Sequence, residues 1–209
     1  MAVAIEDTYL IDPIGKKVFY LKPITTTNPP KMFGHCGVVV TDATGAFDKK
    51  YLYVYGGASG DCAQNVCDKM WRLELPWAPV GYFSGFAGQK FGNKWEDVSG
   101  GGAGPGQLFS AEMIQVGSLL YIYGGMDQAF GISDKLWAYD TATMLWAEIT
   151  LVPHSYTQVN QVWDGSSYTQ AFTGSLASKR IMPHLGYDAA SNLLYVSKGY
   201  STQDTVWLA

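Results

Sequence analysis

The chain has 209 residues, 47% of them hydrophobic and 15% charged, so it is long and apolar enough to bury a core. Its net charge of -4 and isoelectric point near 5.2 provide no basic footprint for phosphate, and nucleic acid is excluded as an expected partner. No run approaches the roughly 18 apolar residues of a membrane helix, so no membrane insertion is expected, and the opening MAVAIEDTYLIDP has no basic segment leading into a long apolar one.

In chain order, the first predicted element is a hairpin in DTYLIDPIGKKVFYLKP, with strands at Tyr9 to Asp12 and Val18 to Leu21 and a turn at Pro13 to Lys16. Next comes HCGVVV, a turn in TDATGAFDKK, and the phrase KYLYVYGGASG. KMWRLELP and KWEDVSG follow, separated by an insertion from Trp77 to Asn93. The order then recurs as SAEMIQV, SLLYIYGGMDQ and DKLWAYDTATMLWAEIT, the last holding two alternating runs around an Asp-Thr turn. After a long segment from Leu151 to Pro183 it recurs a third time as HLGYDA, NLLYVSKGYST and a truncated TQDTVWLA. Each run is β-branched and aromatic, alternates in character and is stopped by glycine, as a strand entering a tight turn is. Counting back from the second glycine of each phrase places His35, Ser110 and His184 at one equivalent first-strand position, with the first hairpin seven residues longer than the others.

Four strands per repeat, a di-glycine after the second and a spaced aromatic pair resemble the kelch repeat, the blade of a β-propeller. The residues that carry the likeness are Gly56, Gly57, Trp71 and Trp95 in one copy and Gly124, Gly125, Trp137, Tyr139 and Trp146 in the next. The third copy keeps Gly199 but has Lys198 for the first glycine. Spacings of 68 and 74 residues between successive second glycines exceed the roughly 50 of a plain kelch repeat because loops are inserted. The resemblance implies an all-β, kelch-type propeller segment with two full four-stranded blades and partial blades at both ends. Residues 1–30 would supply the second half of a preceding blade, 31–99 a blade with its insertion at 77–93, 100–150 a blade, and 151–209 a long loop and an incomplete, degenerate blade. The half-blades at the two ends make three in all, below the four to eight of known propellers. The chain is therefore expected to belong to a larger propeller or to associate with other blades.

These residue types have physical reasons. A blade packs against neighbours on both faces, so both faces need apolar side chains. Glycine offers positive φ and lets the next blade's backbone approach where a Cβ would clash. Aromatics fill the space between sheets, and their N–H or O–H groups cap buried carbonyls.

Chemistry is sparse. His35 and His184 are explained by repetition, and His154 has no partner at ligand spacing. No metal centre and no cofactor is expected. Galactose oxidase shares a kelch-type propeller, but its paired-histidine copper motif matches no residues here, and Cys36 lies in a strand-like run. The carboxylates are scattered through turns, where Asp bonds its own backbone. Cys62 and Cys67 sit five apart in a polar loop where a small bridge is feasible, leaving Cys36 as a buried small hydrophobe. That pair and the low charge favour a secreted or cell-surface setting over the cytoplasm.

What remains is the loops. ASGDCAQNVCDK and MDQAFGISD leave equivalent strands and should emerge side by side, and SYTQVNQVWDGSSYTQAF carries aromatic anchors among adaptable polar residues. The expected role is a non-enzymatic scaffold binding protein partners through Asp61, Gln64, Asn65, Asp127, Gln128, Phe130, Tyr156, Trp163 and Tyr168. The alternative is a carbohydrate-binding or galactose-oxidase-like extracellular module, with Trp163 and Tyr168 stacking on a glycan.

Overall fold

The structure, a computed structural model, describes residues 8–21, 28–42, 49–59, 66–75, 94–152, 156–161, 167–172 and 178–200. Among the described residues there is no helix, and every sheet is antiparallel. Strands β1 (Tyr9–Asp12) and β2 (Lys17–Tyr20) form a hairpin, Tyr9 opposite Tyr20. Strands β3 (Cys36–Asp42), β4 (Lys49–Tyr55), β5 (Met70–Leu75) and β6 (Trp95–Asp97) form one four-stranded sheet in chain order. Strands β7 (Glu112–Val116), β8 (Leu119–Tyr123), β9 (Leu136–Asp140) and β10 (Leu145–Ile149) repeat that arrangement. Two hairpins follow, β11 (Tyr156–Gln161) with β12 (Ser167–Phe172) and β13 (His184–Asp188) with β14 (Leu193–Ser197).

The alternation read in the sequence becomes a stack of sheets with three cores between them. Leu10 and Leu21 from the first hairpin region pack on Val54, Trp71, Leu73 and Trp95 of the first sheet. The opposite face of that sheet, with Cys36, Val40, Tyr53, Tyr55 and Met70, meets Met113, Leu120, Ile122, Trp137 and Tyr139 of the second. The far face of the second sheet, with Tyr123 and Leu136, meets Leu185, Leu194 and Val196 of the last hairpin. Leu73, Leu120 and Ile122 are 0% exposed, and each such side chain contributes roughly 1.5–3 kcal/mol of burial. β7 lies beside both β3 and β13, so the first strands of successive sheets are neighbours.

Backbone bonds join the sheets in a repeated pattern. Gly57 N–H donates to Leu108 O at 2.9 Å, as Gly125 N–H does to Arg180 O at 2.8 Å; Leu108 N–H donates to Cys67 O at 3.2 Å, as Arg180 N–H does to Ser133 O at 3.1 Å. Ser110 N–H donates to Gly34 O at 2.6 Å, and Met182 N–H to Ser110 O at 2.7 Å. Gly34, Ser110 and Met182 all have left-handed φ, between 50° and 65°.

The first glycine of each pair is where the next connecting segment crosses closest. A Cβ on Gly124 would stand 2.5 Å from Arg180 O, and one on Gly56 would overlap Leu108 O. The expected aromatic caps are present as well. Tyr139 and Trp146 are directly opposite in β9 and β10 with rings 4.8 Å apart; the Tyr139 hydroxyl donates to Val98 O at 2.5 Å, and Trp146 Nε1 to Ser99 O at 2.9 Å. Tyr55 and Tyr123, immediately before the di-glycines, donate to Gly106 O at 2.6 Å and Ser178 O at 3.0 Å. Burial holds both tyrosines and Tyr139 above the ordinary phenol range.

Three expectations are corrected. The segment from Leu151 to Pro183, read as loop, contains β11 and β12; its alternating Tyr, Thr, Val and Phe residues around Asp-Gly are a hairpin pattern. Strand register makes Cys36, Glu112 and His184 equivalent, the first two opposite the tyrosine before the di-glycine and the third opposite Ser197 before Lys198 and Gly199, so His35 is not the counterpart of His184. Ser110 is displaced as well, because the second hairpin turns in two residues, 117–118, where the third uses four, 189–192, and a count from the glycines misses the difference. Trp71 caps nothing: its Nε1 is buried without a hydrogen-bond partner among the described residues. The insertion at 77–93 and the final run at 201–209 lie outside the described residues.

Candidate functional site

The segment after Gly125 is built as a rigid tip. Met126 bridges Phe109 and Ile132, which aligns the two limbs of the loop. Asp127 N–H donates to Gly131 O at 2.9 Å, Phe130 N–H to Asp127 O at 3.1 Å, and Gly131 N–H to Asp127 Oδ1 at 2.7 Å. A Cβ on Gly131 would lie 2.6 Å from Asp127 Oδ2, so a side chain there would displace the bracing carboxylate. At the apex Phe130 has φ of 64° and is 78% exposed. A bulky aromatic with left-handed φ is an outlier held in place by its surroundings, and such strain concentrates at functional positions.

Beside this tip runs a cleft of about 560 Å³. Gly104, Pro105, Gln107 and Leu108 form one wall, and Asp127 with Gly131 to Lys135 the other. Trp137 and the Lys135–Glu148 ion pair, at 2.9 Å, close one end, with Lys135 Nζ 5.8 Å from the Trp137 ring centroid. A neighbouring hollow of about 490 Å³ shares Pro105, Gln107 and Asp127 and adds Gln128 and Ala129. Gln128 Oε1 is buried there without a hydrogen-bond partner, an acceptor that a donor from a ligand would satisfy.

Of the residues expected to contact a partner, Asp127, Gln128 and Phe130 are brought together on this one loop. Asp127 serves first as the loop's internal brace. Tyr156 and Tyr168 lie on β11 and β12, opposite Phe172 and Asn160. Asp61, Gln64, Asn65 and Trp163 lie outside the described residues. Sequence reasoning missed Gln107, Lys135 and Glu148, which meet only once the connector before β7 is folded over the loop after β8.

Cys36 is buried, its Sγ donates to Tyr55 O at 3.7 Å, and burial pushes its thiol up to about 12, so it stays protonated and unreactive at neutral pH. Cys67 is disulfide-bonded and Cys36 is free; Cys62 lies outside the described residues. Burial lowers the pKa of His35. Glu112 is raised by burial, an effect opposed by the charge of His184. Among the described residues no three His, Cys, Asp or Glu side chains gather as a metal site would need.

No protein-family model matches the chain, and no curated protein is similar enough to match it. The class defined by the coordinates is an open, all-β stack of antiparallel sheets bearing a braced loop and cleft on one side.

Proposed function

We propose that this chain is a segment of a kelch-type β-propeller serving as a non-enzymatic protein-interaction scaffold, with the loop at Asp127 to Gly131 as its principal contact. The observation that carries the reading is Phe130, 78% exposed and held in a left-handed conformation by a loop closed on itself. Evolution has no packing reason to place a large apolar ring there, whereas a partner's pocket supplies one. Because the loop is already ordered, little conformational entropy is lost on docking. Supporting the propeller reading are the repeated four-stranded sheets, the repeated inter-sheet bonds and the adjacency of the first strands.

Proteins captured on immobilised wild-type chain and on Phe130→Ala provide the test. An anchor of this type contributes at least ~2 kcal/mol, so the genuine partner should be depleted about thirtyfold on the variant. Thermal stability should stay within a few degrees. Equal capture of every protein by both would refute the assignment, and loss of folding would make Phe130 a packing residue.

The unpartnered Gln128 Oε1 in its hollow favours a second reading, a glycan hydroxyl as donor. A glycan array with binding lost in Gln128→Leu would support it, and an array without hits would remove it.

A further inference from the structure

We propose that the hollow beside the loop tip receives an arginine side chain of the protein partner, its guanidinium held by Asp127 and Gln128 while Phe130 enters the partner. This rests on the protein-interaction reading above and names the chemistry that the partner must present.

The hollow is built between two ordered walls. On one side the connector before β7 is tied down: the Tyr55 hydroxyl donates to Gly106 O at 2.6 Å, Leu108 N–H donates to Cys67 O at 3.2 Å, and Leu108 O accepts from Gly57 N–H at 2.9 Å. Gly104 is seated against the Trp146 indole, where a Cβ would stand 3.2 Å from the ring. Pro105 and Gln107 are therefore presented from a fixed backbone. On the other side the bonds among Asp127, Phe130 and Gly131 close the loop around Gln128 and Ala129. Walls that are ordered before binding lose little entropy when the space between them is filled.

The polarity of the hollow has one sign. Among the described residues, Asp127 is its only charged side chain, whereas Lys135 and Lys179 line the neighbouring cleft. Asp127 takes part in none of the ion pairs among the described residues. Its Oδ1 accepts from Gly131 N–H, and an ionised carboxylate has two oxygens with about four lone-pair sites, so accepting capacity remains. Gln128 Oε1 is a second acceptor, buried and without a donor. Two acceptors and one negative charge call for a cation that donates more than one hydrogen bond.

A guanidinium meets that demand best. A hydroxyl brings a single proton and no charge, so it satisfies one acceptor and leaves the carboxylate unmatched. An ammonium brings the charge but is a compact, strongly hydrated ion that gives up more on leaving water. The guanidinium is more weakly hydrated and carries five N–H donors in a planar fork, on a stem of methylene groups. Pro105 and Ala129 supply apolar surface for that stem. The adjoining cleft adds Asp134, and its Lys135 is already held by Glu148 at 2.9 Å. Carboxylates thus outnumber lysines along the approach as well, which favours a cation over an anion. With Phe130 projecting from the same loop, the contact is reciprocal: an aromatic ring offered outward and an arginine received inward, the two residue types that most often dominate interface energetics together with tyrosine.

NMR titration of the full isotope-labelled chain with N-acetyl-arginine methylamide tests the proposal. The resonances of Gln128, its side-chain amide included, and of Ala129 should shift in a saturable way. N-acetyl-citrulline methylamide keeps the shape without the charge and should bind about tenfold more weakly, as loss of a charged hydrogen-bond partner requires. Asp127→Asn keeps an acceptor for Gly131 N–H and should weaken the arginine probe to a similar degree. Gln128→Met takes no part in the brace and should weaken it about fivefold while the rest of the spectrum is unchanged. No saturable shift at these residues, equal affinity for the citrulline probe, or undiminished binding by both variants would overturn the assignment. Shifts with methyl galactoside in place of the arginine probe would give the hollow to a glycan. If the probe fails while capture still depends on Phe130, this inference falls alone. Capture indifferent to Phe130 removes the scaffold reading and with it the partner, and a probe that still bound would mark a guanidinium site of another purpose.

Discussion

Gly124 and Gly117 separate the two reasons for glycine in this fold. Both lie in or beside the second sheet with left-handed φ, 72° and 61°, but a Cβ on Gly117 meets nothing within 4 Å while one on Gly124 stands 2.5 Å from Arg180 O. Alanine at Gly117 incurs only the conformational penalty of about 1–2 kcal/mol, offset by the ~0.4–1 kcal/mol lost from unfolded-state freedom, for a net loss near 1 kcal/mol. At Gly124 the carbonyl must in addition withdraw by roughly 1 Å to reach an ordinary contact. That carbonyl accepts from Gly125 N–H at 2.8 Å, and the shift takes the pair beyond hydrogen-bonding distance. A buried unsatisfied N–H adds about 1–3 kcal/mol, so Gly124→Ala should cost about 2–4 kcal/mol in all. Urea denaturation of both variants beside wild type reads this as two different midpoints at a common slope. Equal losses would refute the claim that the di-glycine serves close approach between sheets and would reduce it to a turn.

Other outcomes follow from the same contacts. Tyr139→Phe leaves Val98 O without its donor inside the main core and should destabilise by about 1–3 kcal/mol, lowering Tm by roughly 2–4 °C for each kcal/mol. Glu112, raised by burial, contributes stability below the ordinary glutamate range that is lost as pH rises through its folded value. Glu112→Gln should therefore raise the urea midpoint at pH 7 and have little effect below pH 4; a gain equal at both would exclude carboxylate ionisation as the cause.

The architecture was legible where alternation and glycine coincide. KYLYVYGGASG and SLLYIYGGMDQ mark β4 and β8, and the pairing of Tyr139 with Trp146 was visible as spacing around an Asp-Thr turn. Equivalence of Cys36, Glu112 and His184 was not, because hairpin length shifts the count while hydrogen bonding fixes the register. β11 and β12 were hidden by their polar residues, which suit a loop as well as a hairpin. Phe130 stood out as an apolar residue in a polar stretch, but its left-handed φ and the Asp127 brace depend on atoms four residues apart. The cleft depends on Gln107 and Glu148, which are distant in the chain and meet only after the connector crosses the loop.

The ladder through Gly34, Ser110 and Met182 has a consequence for how the repeat endures. The three side chains share no chemistry, yet the three backbones have the same left-handed twist, and Ser110 and Met182 each donate N–H to the carbonyl of the preceding member. Alignment between neighbouring sheets is written in main-chain geometry that glycine, serine and methionine all supply here. Side chains along this spine are free to diverge while the angle between sheets is kept. A third copy that has exchanged its first glycine for Lys198 can thus still hold its place in the stack, and the periodicity outlives the letters that first announced it.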